Sequence, residues 1–326
     1  MCTAISFGDG VFGRTLDYEC SFGERVLIAP RGFFPIGESR NRYAIIGIGV
    51  EDEGTPLYFD AMNEWGLSAA ALNFPNLAVY HKKTGESRRT ADGRLDAPAN
   101  LLISYILGLC RSVEEAREAL SNIDVTEGKS VKNMQTPSLH WIISDARSSI
   151  TVESVAEGLK VYDNPAGVLT NGPEFPYHLT RLADYMHLTP TAPKNNFKKV
   201  NPSVYSRGMG AIGLPGDFSS SSRFVRACFI SEHTWGAERD NEKNRIVRAF
   251  RILSSVSVPL GCIVSDEGRP VSTLYTSVSD AESLTYYFTT YGTTSVSAVR
   301  LNDALLEGDK LQVFDIPSAP KINALN

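Results

Sequence analysis

The chain has 326 residues, 42% of them hydrophobic and 21% charged, with a formal net charge of −5. This is the composition of a folded protein with a large core, and it excludes wholesale disorder. The acidic balance gives nucleic-acid phosphates no basic footprint, and the short run His81-Lys82-Lys83 reads as a solvated loop.

The chain opens MCTAISFGDG, which has neither the basic start nor the sustained apolar segment of a secretory signal. The apolar stretch LLISYILGLC, residues 101–110, falls well short of the roughly 20 residues that a spanning helix needs. A cytoplasmic protein without membrane insertion is therefore expected. Cys2, Cys20, Cys110, Cys228 and Cys262 are scattered, with no C-x-x-C pair and no histidine at metal-ligand spacing, so neither a disulfide framework nor a metal site is expected.

TAISF, GVFGRTLDY, RVLIAP and YAIIGIGV are short β-prone runs separated by Gly, Pro and Asp, and they read as an antiparallel meander. PLYFDAM and LSAAALNF flank Asn63-Glu64-Trp65-Gly66, a hairpin connection. Apolar residues at helical spacing behind Asp96 and Pro98 predict a helix over 96–109, and Ser112 followed by Glu115 reads as a capping box for a second helix to Leu120. HWIISD and SITVES form another hairpin around Ala146-Arg147-Ser148, continued by LKVYD, and His140 reads as a half-buried strand residue. Helices are expected over 177–186, 222–232 and 242–253, then strands in TLYTSVS, LTYYFTTY and SVSAVRL. Blocks of strands and helices without βαβ alternation indicate an α+β layered fold. We read 1–326 as a single domain, with residues 189–207 as an irregular excursion.

The first chemical question concerns Cys2. If Met1 is trimmed, Cys2 carries a thiol and a free α-amine, which titrates at about pH 7.7, so one residue supplies a nucleophile and a base. The alternative is a small hydrophobe in a buried first strand. On an ideal strand Cys2, Ala4 and Ser6 share one face. Arg14 and Asp17 face opposite sides, so their joint service needs a twist, a bulge or a strand end. Asp17 can anchor or orient the amine and Arg14 can favour the thiolate, or the two form a structural pair. Asn73 in ALNFP and Asn171 in LTNGP stand at strand–turn junctions, suited to turn chemistry or to donating to an oxyanion. Arg223 begins a helix after a serine run and either reinforces a polar site or makes an ordinary ion pair. None of the histidines His81, His140, His178, His187 and His233 sits in a local nucleophile–base signature.

Taken in order, MCT, FGRTLDY, APRGF, YAIIGIG, MNEWGL, ALNFP, LHWIISD, VLTNGPEFPYH, GLPGDFSSSSRFVR, LYTS and YYFTTY resemble the choloylglycine hydrolase family, which contains bile salt hydrolases and penicillin V acylases. The resemblance implies an N-terminal-nucleophile hydrolase with an αββα sandwich, two antiparallel sheets between helical layers. It implies Cys2 as nucleophile with its freed amine as base, Arg14 and Asp17 supporting that terminus, and Asn171 donating to the oxyanion. It also implies Asn73 contributing nearby, Arg223 organising the site, no cofactor and no metal, and a homotetramer in which 189–207 takes part. ALNFP resembles the bile-salt branch, whereas Glu51-Asp52-Glu53 stands where several bile-salt-acting relatives are more apolar. The expected substrate is a glycine- or taurine-conjugated bile acid. The alternatives are penicillin V or another N-acyl amide, and a non-enzymatic scaffold or binding protein that retains the fold.

Overall fold

The computed structural model describes residues 1–37, 39–82, 93–128, 136–234, 241–320, 322 and 324. Its core is two antiparallel sheets packed face to face. The first runs Val168–Leu169, Cys2–Ser6, Val11–Tyr18, Pro270–Asp280, Thr285–Thr290, Thr293–Arg300 in spatial order, with Ile263–Val264 beside Pro270–Asp280. The second runs Gly158–Asp163, Ser149–Val155, Leu139–Ser144, Ser68–Asn73, Thr55–Asn63, Ile45–Asp52, Arg25–Ala29, Gln312–Phe314. Helices Leu102–Leu109 and Val113–Ser121 cover the outer face of the second sheet, and Ser220–His233 and Glu242–Ser254 cover the outer face of the first. The αββα sandwich is thus the fold observed.

Alternation along the strands builds these layers. Val26, Ile28, Ile46, Ile48 and Met62 point into the layer between the sheets, while Leu27, Ala29, Ile45 and Ala61 point out under Leu102, Ile103 and Ile106. Both faces of the central strands of the second sheet are therefore dry, which is why those strands read as nearly continuous apolar runs. Two glycines permit its tightest contacts: a Cβ on Gly47 would stand 2.2 Å from the Asp60 carbonyl oxygen, and one on Gly49 2.1 Å from that of Leu57.

Both expected hairpins form. Asn63 Oδ1 accepts from Trp65 N and Leu67 N at 3.0 and 3.1 Å, and Asp145 Oδ1 accepts from Arg147 N and Ser148 N at 2.8 and 3.0 Å. Other expectations are corrected. The four early strands are not one meander, because Cys2–Ser6 and Val11–Tyr18 belong to the first sheet and Arg25–Ala29 and Ile45–Asp52 to the second. Asp96 caps no helix. It lies in the strand Leu95–Pro98, paired in parallel with Ile123–Thr126, and its carboxylate accepts from Thr126 Oγ1 at 2.5 Å; the helix itself is Leu102–Leu109. Ser112 does cap its helix, accepting from Glu115 N at 3.2 Å, but the Glu115 carboxylate turns to Arg111 N, so only half of the capping box is made. The helix expected over 177–186 is Phe175–Arg181 followed by a 3₁₀ turn Leu182–Tyr185. In the basic run, His81 Nδ1 lies 2.6 Å from Asp124 Oδ1 and Lys82 is exposed, while Lys83 lies outside the described residues. No helix among the described residues is long and apolar enough to cross a membrane.

Candidate active site

Cys2 begins a strand flanked by Val11–Tyr18 on one side and by the two-residue strand Val168–Leu169 on the other. The antiparallel register Ala4↔Leu169 and Ile5↔Val168 carries the chain after Leu169 back toward Cys2, which brings Asn171 level with it. Asn171 Oδ1 accepts from Cys2 N at 3.0 Å, and Asn171 Nδ2 donates to the Asn73 carbonyl at 2.7 Å. The two asparagines, 98 residues apart in sequence, are thereby joined at the Cys2 end of the strand.

Register also decides which face each charged residue takes. Cys2 lies opposite Leu16 and Ala4 opposite Arg14, so Arg14 shares the inward face with Cys2; Thr3 lies opposite Thr15, and these share the outward face with Asp17. Arg14 and Asp17 do face opposite sides, and both lie near the strand end that carries Cys2. Met1 N donates to the Asp17 carbonyl at 2.6 Å and Asp17 N donates to the Met1 carbonyl at 2.9 Å. The start of the chain is thus zipped to Asp17.

On the outward side, Arg223 reaches in from Ser220–His233, whose first turn is capped by Ser219. Its guanidinium donates to the Cys2 carbonyl, to Thr3 Oγ1 at 2.6 Å and to Asn171 Oδ1 at 2.6 Å. Arg223 and Asp17 are both wholly buried. Burial pushes the Asp17 carboxyl up from its ordinary value, against the pull of Arg223, a 2.6 Å hydrogen bond from Thr273 Oγ1 and the N-terminal charge. Burial likewise pushes Arg223 down, opposed by Asp17 and Cys2.

On the inward side, Arg14 is wholly buried. Burial works against its charge, but Tyr275, Cys2, Asp60 and Tyr286 together override that and hold its pKa above the ordinary arginine value. Its Nη1 donates to the Phe59 carbonyl and to Tyr275 Oη, each at 3.3 Å, and lies 3.6 Å from Asp60 Oδ1, while Nη2 has no hydrogen-bond partner. Two bulges place these partners. Phe59 is the extra residue opposite Ile48–Gly49, and Leu274 the extra residue opposite Leu16–Asp17. Asp60 itself accepts from Tyr275 Oη at 2.6 Å, Ser277 Oγ at 2.7 Å and Tyr286 Oη.

All six residues singled out from the sequence gather around this strand end. Cys2, Asn171 and Arg223 are directly bonded, Asn73 joins through Asn171, Asp17 through Met1, and Arg14 through the shared inward face. Sequence reasoning missed Asp60, although a carboxylate inside the apolar run PLYFDAM was a visible signal for a buried counter-charge. A half-buried aromatic row, Tyr18–Phe22–Phe59, has ring centroids 4.8 and 5.4 Å apart and adjoins Arg14 through Phe59. A separate surface depression of about 270 Å³, lined by Arg42, Cys110, Glu115 and Asn122 among others, belongs to the helical layer of the second sheet and holds none of these residues. Among the described residues no group of three or more His, Cys, Asp and Glu could hold a metal ion.

Comparison with known proteins agrees over the whole length. The family described as linear amide C-N hydrolases, choloylglycine hydrolase family, matches residues 2–314. The bile salt hydrolase/transferase of Lactiplantibacillus plantarum is 38% identical over 333 residues, covering 100% of both chains. Among solved structures, a mutant conjugated bile acid hydrolase from Clostridium perfringens superposes with a TM-score of 0.89 at 32% identity, covering 100% of each chain. Penicillin V acylase from Agrobacterium tumefaciens has the same fold, with a TM-score of 0.73 at 23% identity, over 98% of this chain and 92% of that one.

Proposed function

Because the chain belongs to the choloylglycine hydrolase family of linear amide C–N hydrolases, we propose that it deconjugates glycine- or taurine-conjugated bile acids with Cys2 as an N-terminal nucleophile. The observation that carries this reading is the 3.0 Å contact between Cys2 N and Asn171 Oδ1, with Arg223 bridging Asn171 and the Cys2 carbonyl. Removal of Met1 turns that nitrogen into an amine already held by an acceptor, the arrangement a general base needs.

The amine takes the thiol proton as sulfur attacks the amide carbonyl, with the Arg14 guanidinium on the same face of the sheet as Cys2. Asn171 Nδ2 has two hydrogens, of which one goes to the Asn73 carbonyl; the other, with donors around Asn73, stabilises the oxyanion. Arg223 holds the terminus in register from the opposite face through the Cys2 carbonyl and Asn171 Oδ1, while the bonds of Asp17 to Met1 leave with Met1 and free its backbone groups beside the new amine. The amine then returns its proton to the leaving glycine or taurine nitrogen, and water, activated by the same amine, hydrolyses the thioester. No step calls for a cofactor. Five free cysteines suit the reducing cytoplasm assigned in this reading.

The row Tyr18–Phe22–Phe59 supplies an apolar wall suited to a large acyl group. The second reading, an acylase for penicillin V or a related N-acyl amide, draws support from the hairpin tip at Glu51-Asp52-Glu53, where Asp52 is part-buried, Glu53 is exposed with φ of 48° and Glu51 lies 3.8 Å from Arg25. Parallel hydrolysis assays with glycocholate, taurocholate and penicillin V test the choice. Release of glycine or taurine faster than 6-aminopenicillanic acid is the expected result. Turnover of penicillin V alone would move the assignment to the second reading, and no turnover of any of the three by protein verified to begin at Cys2 would leave the scaffold reading.

A further inference from the structure

His140 is wholly buried in Leu139–Ser144, deeper than the half-buried position its sequence suggests, and it takes no part in the proton transfers above. Its Nε2 lies 3.0 Å from the Thr170 carbonyl oxygen and its Nδ1 lies 3.1 Å from Glu153 Oε1. Glu153 is itself wholly buried and accepts from Phe175 N at 3.1 and 3.2 Å. A carbonyl can only accept, so Nε2 donates. On the other side, the 3.1 Å contact is satisfied when a hydrogen sits between Nδ1 and the carboxyl, whichever atom holds it.

The imidazole also stacks on Phe74, with centroids 4.2 Å apart and planes 9° from parallel. Phe74 follows Asn73 and Thr170 precedes Asn171. One ring is therefore tied to the immediate neighbour of each asparagine, by a stack on one side and a hydrogen bond on the other. The bond from Asn171 Nδ2 to the Asn73 carbonyl closes the circuit.

We infer that His140, oriented by Glu153, is a positioning residue that locks the two asparagine-bearing segments into one oxyanion-binding unit. This rests on the reading of Asn171 and Asn73 given above. A buried ionisable pair is weak evidence for stability, since packed apolar residues often do as well. What it adds is direction, because Glu153 fixes the ring and the ring aims one N–H at one carbonyl. Displacing an oxyanion donor by even an ångström costs about a hundredfold in rate.

The test compares Glu153→Gln with Glu153→Gln/His140→Phe in protein verified to begin at Cys2, using whichever of glycocholate, taurocholate or penicillin V the wild type hydrolyses fastest. Glutamine can accept from Phe175 N and donate to a neutral His140, so the single variant keeps the aim of the ring, and kcat stays within about threefold. Phenylalanine keeps the stack but cannot donate to Thr170, so kcat falls about a hundredfold while KM changes by less than about threefold. Alkylation of Cys2 by iodoacetamide, which forms no oxyanion, keeps its wild-type rate in both. If the double variant does not fold, His140→Gln, which can donate but does not stack, gives the same split with a smaller fall. A folded double variant whose kcat matches the single variant overturns the inference, and so does a fall in alkylation that parallels the fall in kcat. Wild-type protein inactive on all three substrates overturns the functional reading and the inference together.

Discussion

At the residue scale, the site is a strand end approached from two faces. Cys2 and Arg14 look inward, Asp17 and Arg223 outward, and Asn171 comes alongside in the plane of the sheet. A thiol in such a place differs from a hydroxyl because the only base proposed is the residue's own amine. Cys2→Ser in fully processed protein is therefore expected to lose activity on the order of a hundredfold or more with its thermal unfolding temperature little changed. Amide hydrolysis and thermal denaturation check this, and near-wild-type turnover would remove the thiol from the mechanism. The six candidate residues were legible in the sequence because each sits in a short local motif. Asp60 and His140 were not, because their partners lie far away in sequence: Tyr275 and Tyr286 are 215 and 226 residues from Asp60, and Thr170 is 30 residues from His140.

At the element scale, most strands were readable from alternation and apolar runs, and three helices were found close to their observed bounds. The misreadings share a cause. Leu95–Pro98 becomes a strand only because Ile123–Thr126 pairs with it, and the early strands divide between two sheets for reasons that local pattern does not carry. Bulges escape pattern reading in the same way, yet those at Phe59 and Leu274 set the partners of Arg14 and Asp17. Gly47 packs against the Asp60 carbonyl beside the first of these bulges. Gly47→Ala must push the Asp60 strand away, and the expected result is a loss of about 1–3 kcal/mol of stability together with a lower kcat. Urea denaturation and steady-state kinetics read both effects. An unchanged midpoint would mean that the strand shifts at no cost.

At the scale of the whole molecule, the excursion over 189–207 stands out for exposed apolar side chains: Phe197 is 69% exposed, Val200 60%, Val204 51% and Tyr205 83%. A folded monomer seldom leaves so much apolar surface in one segment, and we propose that it is covered by other copies of the chain in a homotetramer. Size-exclusion chromatography with light scattering is expected to give a tetramer for the wild type and smaller species for Phe197→Glu/Tyr205→Glu. A wild-type monomer would contradict this. The double variant is expected to keep the pairing of Cys2 with Asn171, because neither substituted residue touches the described site.

Every part of the mechanism converges on the nitrogen of Cys2. With Met1 attached it is an amide, without basicity near neutral pH; with Met1 removed it is a free α-amine, a class of group that ordinarily titrates at about pH 7.7. The decisive measurement is the rate of amide hydrolysis by two preparations whose termini are fixed by intact mass, one retaining Met1 and one beginning at Cys2. The account predicts hydrolysis by the second and almost none by the first, although every side chain of the site is present in both. Equal rates would contradict an N-terminal-nucleophile mechanism.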